Sequence, residues 1–374
     1  MFVTLADGTE NILSNGGAFE AIDENNIDGA VYSRQDLTFN GSGTLTVTSP
    51  AGHGIVCKDD LVFTGGTYIV SSASHGMDAN DSVRIAEASI TIDAGKDGIH
   101  AENKDDASLG FVYILSGTMD IEAEGDGISA GAYLQVQDGT INLLVCGGYE
   151  NGTSQSYASY GEFKGSGKPG RSSARMVPEE KSRNMSAPEE SSTSMTTSEE
   201  SSTSMKGLKA VSGILISNGM ITIDSADDSI HSDTSVIIND GTFEIASGDG
   251  LDSNGTVTIS DGYIYVANPT AGDTSIIDAD VSPVITGGTF VSTGSTTMMA
   301  QTFASSSTQG VISCTTGTQS PGSVVTVKDS NGNRVISYEV EYSCALVIIS
   351  SPDIVKGDAY TLTIGSTSGS VQAE

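Results

Sequence analysis

The chain has 374 residues and a formal net charge of −32, from 48 acidic and 16 basic side chains. That balance repels nucleic acid and anionic membranes and leaves cations, cationic partners or neutral ligands as favoured partner classes, with simple solubility as the alternative. The length is ample for a large core, and no apolar run is long enough to insert in a membrane.

The chain enters a strand at once, through Phe2-Val3-Thr4-Leu5, which does not read as a signal peptide. Either secretion uses upstream sequence or the protein is cytoplasmic, and missing upstream sequence is the expected case. A short phrase then returns at a near-constant interval. It reads Asp97-Gly98-Ile99, Asp126-Gly127-Ile128, Asp228-Ser229-Ile230 and Asp249-Gly250-Leu251, with looser copies at Asp28, His53 and His75. Outside one large insertion the copies lie 21 to 29 residues apart, the signature of stacked repeats.

Within a repeat, Asp228-Ser229-Ile230 is followed by Val236-Ile237-Ile238, the turn Asn239-Asp240-Gly241 and Thr242-Phe243-Glu244-Ile245. These are short alternating strands rich in β-branched residues and split by Gly/Asn/Asp turns. No run of ten or more residues carries a helical apolar period. Three strands per repeat of about 22 residues predict an all-β chain folded as a parallel β-helix, whose coils bury their apolar sides by stacking. A β-sandwich is the rival, but whole phrases are copied here, not spacing alone. Alternation points Ile92, Ile121, Ile141, Ile223, Ile245 and Ile264 inward, and Thr91, Asp120, Asn142, Thr222, Glu244 and Tyr265 outward on one sheet.

Residues 147–210 break the pattern with a Lys/Arg/Gly/Ser stretch and a repeated Glu-Glu-Ser-Ser-Thr-Ser-Met heptad. They hold eight basic and eight acidic residues, so the whole net charge lies elsewhere. Such a segment buries no core and reads as a disordered insertion within one solenoid spanning residues 1–297. Residues 298–374 differ: Val324–Val327 and Val335–Tyr338 flank a turn as a hairpin, Leu346–Ile349 and Tyr360–Ile364 add strands, and the module should cap the open end of the stack. Cys57, Cys146, Cys314 and Cys344 show no metal spacing; buried free thiols are the expected state for all four, with a Cys314–Cys344 pair the alternative.

The aspartate column is the sharpest chemical signal. Stacked carboxylates about 4.8 Å apart repel by roughly 1 kcal/mol in water and about 3–4 kcal/mol at an effective dielectric of about 20. A bridging Ca²⁺ would offset this, with Asp97, Asp126, Asp228 and Asp249 as ligands and Glu102, Asp227, Asp252 and Asp78 completing the sites. Alternatively each Asp caps its own turn through local backbone N–H groups. His53, His75, His100 and His231 share the corner, as a weak transition-metal site or as turn histidines. On the outward face Asp120, Glu122, Asn142, Glu244, Tyr263 and Tyr265 are candidate glycan contacts. With no Trp in the chain, hydrogen bonding dominates ring stacking. An acidic glycan would need Ca²⁺ bridges. Catalysis has little support: Arg84 is the one candidate base for a lyase, and clustered carboxylates for a hydrolase are nonspecific here.

At Lys58-Asp59-Asp60-Leu61-Val62 before Gly65-Gly66-Thr67, at Lys96 to Asn103, at Ser225 to Ser232, at the restart Lys206 to Ala210 and at the ending Val324 to Ile364, the chain resembles a bacterial family of secreted β-helix carbohydrate-binding proteins. Some members bind cellulose and pectic acid, with bound calcium. The resemblance covers nearly the whole chain. It implies a right-handed β-helix, Ca²⁺ and binding of plant-type polysaccharide at the cell surface; with the aspartate column and the acidic surface, the expectation is a non-catalytic, monomeric binder outside a bacterial cell. It carries no site residue across position by position. The alternatives are a lyase or hydrolase acting on pectic acid, and a structural surface adhesin or spacer.

Overall fold

The computed structural model describes residues 1–17, 28–152, 204–269, 274–295 and 301–374. Among them the chain is all-β, apart from one short 3₁₀ turn at Tyr149–Asn151. Three sheets form, of 17, 12 and 4 strands. No helix among the described residues is long and apolar enough to cross a membrane.

The middle repeats supply three strands each, as their turn chemistry predicts, and in the last two the first pair merges into single strands, Leu251–Ile259 and Ile277–Ile285. In one middle repeat, Met77–Ala79 and Ser82–Ala86 join the 17-stranded sheet and Ala88–Ala94 joins the 12-stranded one. The next repeat lays Ile99–Ala101, Phe111–Ile114 and Gly117–Ala123 beside them, all in parallel register. Turn glycines allow the close approach. A Cβ on Gly98 would sit 2.7 Å from the Gly127 carbonyl oxygen and collide with Ile121.

Alternation sorts the side chains of the 12-stranded sheet. Ile92, Ile121, Leu143, Ile223, Ile245 and Val266 stack in one buried column. Ile141 and Ile264 belong to a second column, with Met119, Ile221, Phe243 and Phe290. At the first repeats aromatics thicken the core: Phe39 stacks on Phe63 at 5.2 Å, and Tyr68 meets both edge-on. On the opposite face Thr91, Asp120, Asn142, Thr222, Glu244 and Tyr265 form one register column, as alternation requires.

Within the span expected to be an insertion, residues 147–152 and 204–210 are described, and Leu208–Ala210 is a strand paired with Ile128–Ala130 and Ile230–Ser232. The expectation of disorder for the rest lies outside the described residues. The last parallel strand is Thr289–Gly294, whose free edge is taken antiparallel by Cys344–Ser350. The predicted hairpin forms between Val324–Lys328 and Arg334–Glu339. It belongs to the four-stranded sheet, which packs a second apolar cluster over the outer face at Tyr265, Ala267 and Val291. The C-terminal residues therefore extend one sheet and fold back over it.

All four cysteines are free, as expected, and the alternative pair does not form: Cys314 and Cys344 lie opposite Val347 and Gln319 on antiparallel neighbours. Burial of the thiols holds for Cys57 and Cys344, while Cys146 and Cys314 are half-buried.

Candidate functional site

Backbone hydrogen bonds fix the corner column. The amide of Gly54 donates to His75 O, Gly76 to Asp97 O, Gly98 to Asp126 O, Gly127 to Lys206 O, Gly207 to Asp228 O, Ser229 to Asp249 O and Gly250 to Ser275 O. The phrase residues are thus spatial neighbours, and the position between Asp126 and Asp228 is filled by Lys206. A second column lies three residues on and runs Asp78, His100, Ser129, Lys209, His231, Asp252, Asp278.

The aspartates do cap backbone, but not their own turns. Asp97 Oδ1 accepts the Asp126 N–H at 2.8 Å, Asp126 Oδ1 accepts the Lys206 N–H at 3.0 Å, and Asp249 Oδ1 accepts the Ser275 N–H. These three carboxylates each hold the next repeat, while Asp228 is held by side chains, so the column is an inter-repeat ladder. The charges are then partnered unevenly. Lys209 Nζ reaches back to Asp126 Oδ2 at 3.0 Å, while Lys206 Nζ bonds Asp227 at 3.0 Å and Asp228 more closely. His231 Nδ1 faces both Asp228, at 3.1 Å, and Asp252. Burial opposes its charge, but those two carboxylates push His231 up to about 10. Burial likewise opposes ionisation of Asp228, yet the His231 and Lys206 contacts hold it below the usual carboxylate range. Asp97 and Asp249 fare differently. Burial, then the neighbouring Asp126, lifts Asp97 to about 6; burial, then Asp228, lifts Asp249 to about 8.

Of the expected cation ligands, Asp227, Asp228 and Asp249 bring oxygens within 4.8 Å of one another, and Asp228 and Asp252 bring oxygens within the same distance of a His231 ring nitrogen. Asp97 and Asp126 adjoin each other farther along the ladder. Glu102 is half-exposed beside Lys104 and joins no cluster among the described residues. Asp78 is bound by His100 at 2.9 Å and Lys58 at 3.5 Å. His53, His75 and His100 stack ring on ring, with centroids 5.0 and 4.6 Å apart. Each has a carboxylate beside it, Asp28, Asp97 and Asp78 respectively. His75 Nδ1 accepts the Asp97 N–H, and burial, followed by His100 and His53, drives its pKa down to about 3. This is an ordered turn stack with a neutral ring at its centre.

The outer face of the 12-stranded sheet carries two shallow grooves. One, of about 340 Å³, is lined by Thr91, Asp93, Asp120, Glu122, Asn142 and Thr222 among others. Asn142 donates to Asp120 at 2.6 Å, which fixes both side chains. The other, of about 360 Å³, lies where the C-terminal module meets the sheet, between Thr242, Glu244, Tyr263 and Tyr265 below and Tyr338, Glu339 and Glu341 above. Thr222 pairs directly with Glu244, so one register column runs through both grooves. Between them Asp224 accepts the Tyr149 N–H at 2.8 Å, and the Tyr149 ring meets Tyr342 edge-on at 4.9 Å.

Of the six expected glycan contacts, Asp120, Glu122 and Asn142 share the first groove and Glu244, Tyr263 and Tyr265 the second. Tyr263 is 46% exposed, but Tyr265 is only 8% exposed because Tyr338 and the module cover it. Sequence reading missed Tyr338, Glu339 and Glu341, whose place depends on a fold-back that no local pattern encodes. It also missed the cationic rung. Its signal was present: Lys206-Gly207-Leu208 stands 22 residues ahead of Asp228-Ser229-Ile230 and has the Gly-apolar ending of Asp97-Gly98-Ile99.

A family profile described as carbohydrate-binding domain-containing protein matches residues 1–253. A similar protein of that description from Acetivibrio thermocellus is 39% identical over 70 residues, which are 18% of this chain and 24% of the relative. The match thus spans about a quarter of that relative's length. No solved structure matches the chain. With two thirds of its length under the profile, the chain belongs to the carbohydrate-binding domain-containing protein family.

Proposed function

We propose that the chain is a right-handed parallel β-helix that binds polysaccharide, without catalysing its cleavage, along the outer face of the 12-stranded sheet. The carrying observation is the column Thr91–Asp120–Asn142–Thr222–Glu244, which lines two grooves with hydroxyl, amide and carboxylate groups at the strand spacing of about 4.8 Å. Such a ladder offers a repeating hydrogen-bond partner to a polymer of sugar hydroxyls, and Tyr263 adds one exposed ring. Every charged side chain lining the grooves is acidic, which favours a neutral plant-type glucan over pectic acid. Arg84, the base a lyase would need, lies in the other sheet, paired with Asp60 at 3.2 Å. An extracellular setting, at or near a bacterial surface, suits this ligand. Affinity electrophoresis in gels holding hydroxyethylcellulose or polygalacturonate, with and without Ca²⁺, tests the reading. Retardation by the neutral glucan without added Ca²⁺ is expected; unchanged mobility in every gel removes the polysaccharide reading and leaves a spacer or adhesin.

A further inference from the structure

The ladder contains its own cation. Lys206 stands at a position that its neighbours in the column, Asp126 and Asp228, give to aspartate, and its side chain is only 16% exposed. Its ammonium lies on the oxygens that a divalent ion would use, 3.0 Å from Asp227 and closer to Asp228. From the same repeat Lys209 reaches the opposite way, to Asp126 at 3.0 Å. One repeat therefore clasps the acidic column on both sides.

Calcium does not fit beside this arrangement. It takes six to eight oxygen ligands. Asp228 is flanked by two nitrogen groups, the Lys206 ammonium and His231 Nδ1. An ion on the Asp227–Asp228–Asp249 oxygens would lie against a buried positive charge or have to expel it. Lysine supplies the compensating charge with no dependence on ion concentration.

We propose that Lys206, supported by Lys209, replaces a calcium ion in the aspartate ladder, so that the fold needs no calcium and loss of Lys206 creates a calcium-dependent protein. This stands independently of the glycan-binding reading. The test is thermal unfolding of the full chain, wild type and Lys206→Gln, in EDTA and in millimolar Ca²⁺, with calorimetric titration of Ca²⁺ alone. The wild type should unfold at the same temperature in both buffers and give no binding heat. Lys206→Gln should unfold earlier in EDTA and regain stability with Ca²⁺; folding of the variant only when Ca²⁺ is present counts the same way. A wild type that loses stability in EDTA and recovers it with Ca²⁺ overturns the proposal. So does a folded variant that Ca²⁺ leaves unchanged. If the variant folds in neither buffer, the wild-type pair of curves and its titration still decide.

Discussion

Asp249→Asn isolates the one rung of the ladder that faces only like charge. Asp228, Asp252 and Asp227 surround Asp249, and its own bond is the Ser275 N–H, which an asparagine Oδ1 accepts equally well. Two carboxylates one strand apart repel by about 3–4 kcal/mol at an effective dielectric of about 20. Burial, the larger cause, and this repulsion together lift Asp249 from 3.8 to about 8. Because the folded value is raised, the group's contribution to stability is fully present below pH 3.8 and is lost as pH rises through about 8. With each unit worth about 1.36 kcal/mol, and Lys206 on Asp228 reducing the repulsion, the wild type should lose about 3–5 kcal/mol across that window. The variant has no such charge. Urea unfolding near pH 3.8, where the loss has not begun, should find the two proteins within about 1 kcal/mol, since the amide keeps the hydrogen bond. At pH 9 the variant should be the more stable. A variant that is weaker than the wild type at every pH, with the same pH slope, would refute the reasoning and place an ionised, partnered Asp249 in the ladder.

Two further substitutions probe the stack. Gly98→Ala puts a methyl against the Gly127 carbonyl and Ile121, neither of which can move without shifting its strand, so a loss of about 1–3 kcal/mol in chemical denaturation is expected. Phe63→Ala removes one ring of the mutually packed Phe39–Phe63–Tyr68 cluster from a fully buried site and should cost about 3–5 kcal/mol by the same assay.

The strands were legible because each repeat states them twice, in alternation and in its Gly-containing turns. The parity of Asp120, Asn142 and Glu244 followed from that alone, and the register pairs them as read. The aspartate column was legible as a column but not as a circuit. A carboxylate that caps the next repeat's amide and one that caps its own turn look identical in sequence. The lysine rung was hidden because Lys206 reverses the sign at a position recognised by its sign. Tyr265 was read correctly as outward, yet what lies over it comes from residues near Tyr338, more than seventy positions later. Burial of that kind is set by the fold-back of the C-terminal module, which strand periodicity does not report.

The central claim is that the outer face of the 12-stranded sheet holds the glycan, and the double variant Asp120→Ala/Asn142→Ala tests it most directly. The two side chains bond each other in the middle of the first groove and contribute nothing to the core, so unfolding should be unchanged. Affinity electrophoresis against hydroxyethylcellulose should then show retardation weakened at least about tenfold, the equivalent of about 1.4 kcal/mol of binding. Retardation equal to that of the wild type, in a variant that unfolds normally, would contradict the account and move the binding surface elsewhere on the molecule.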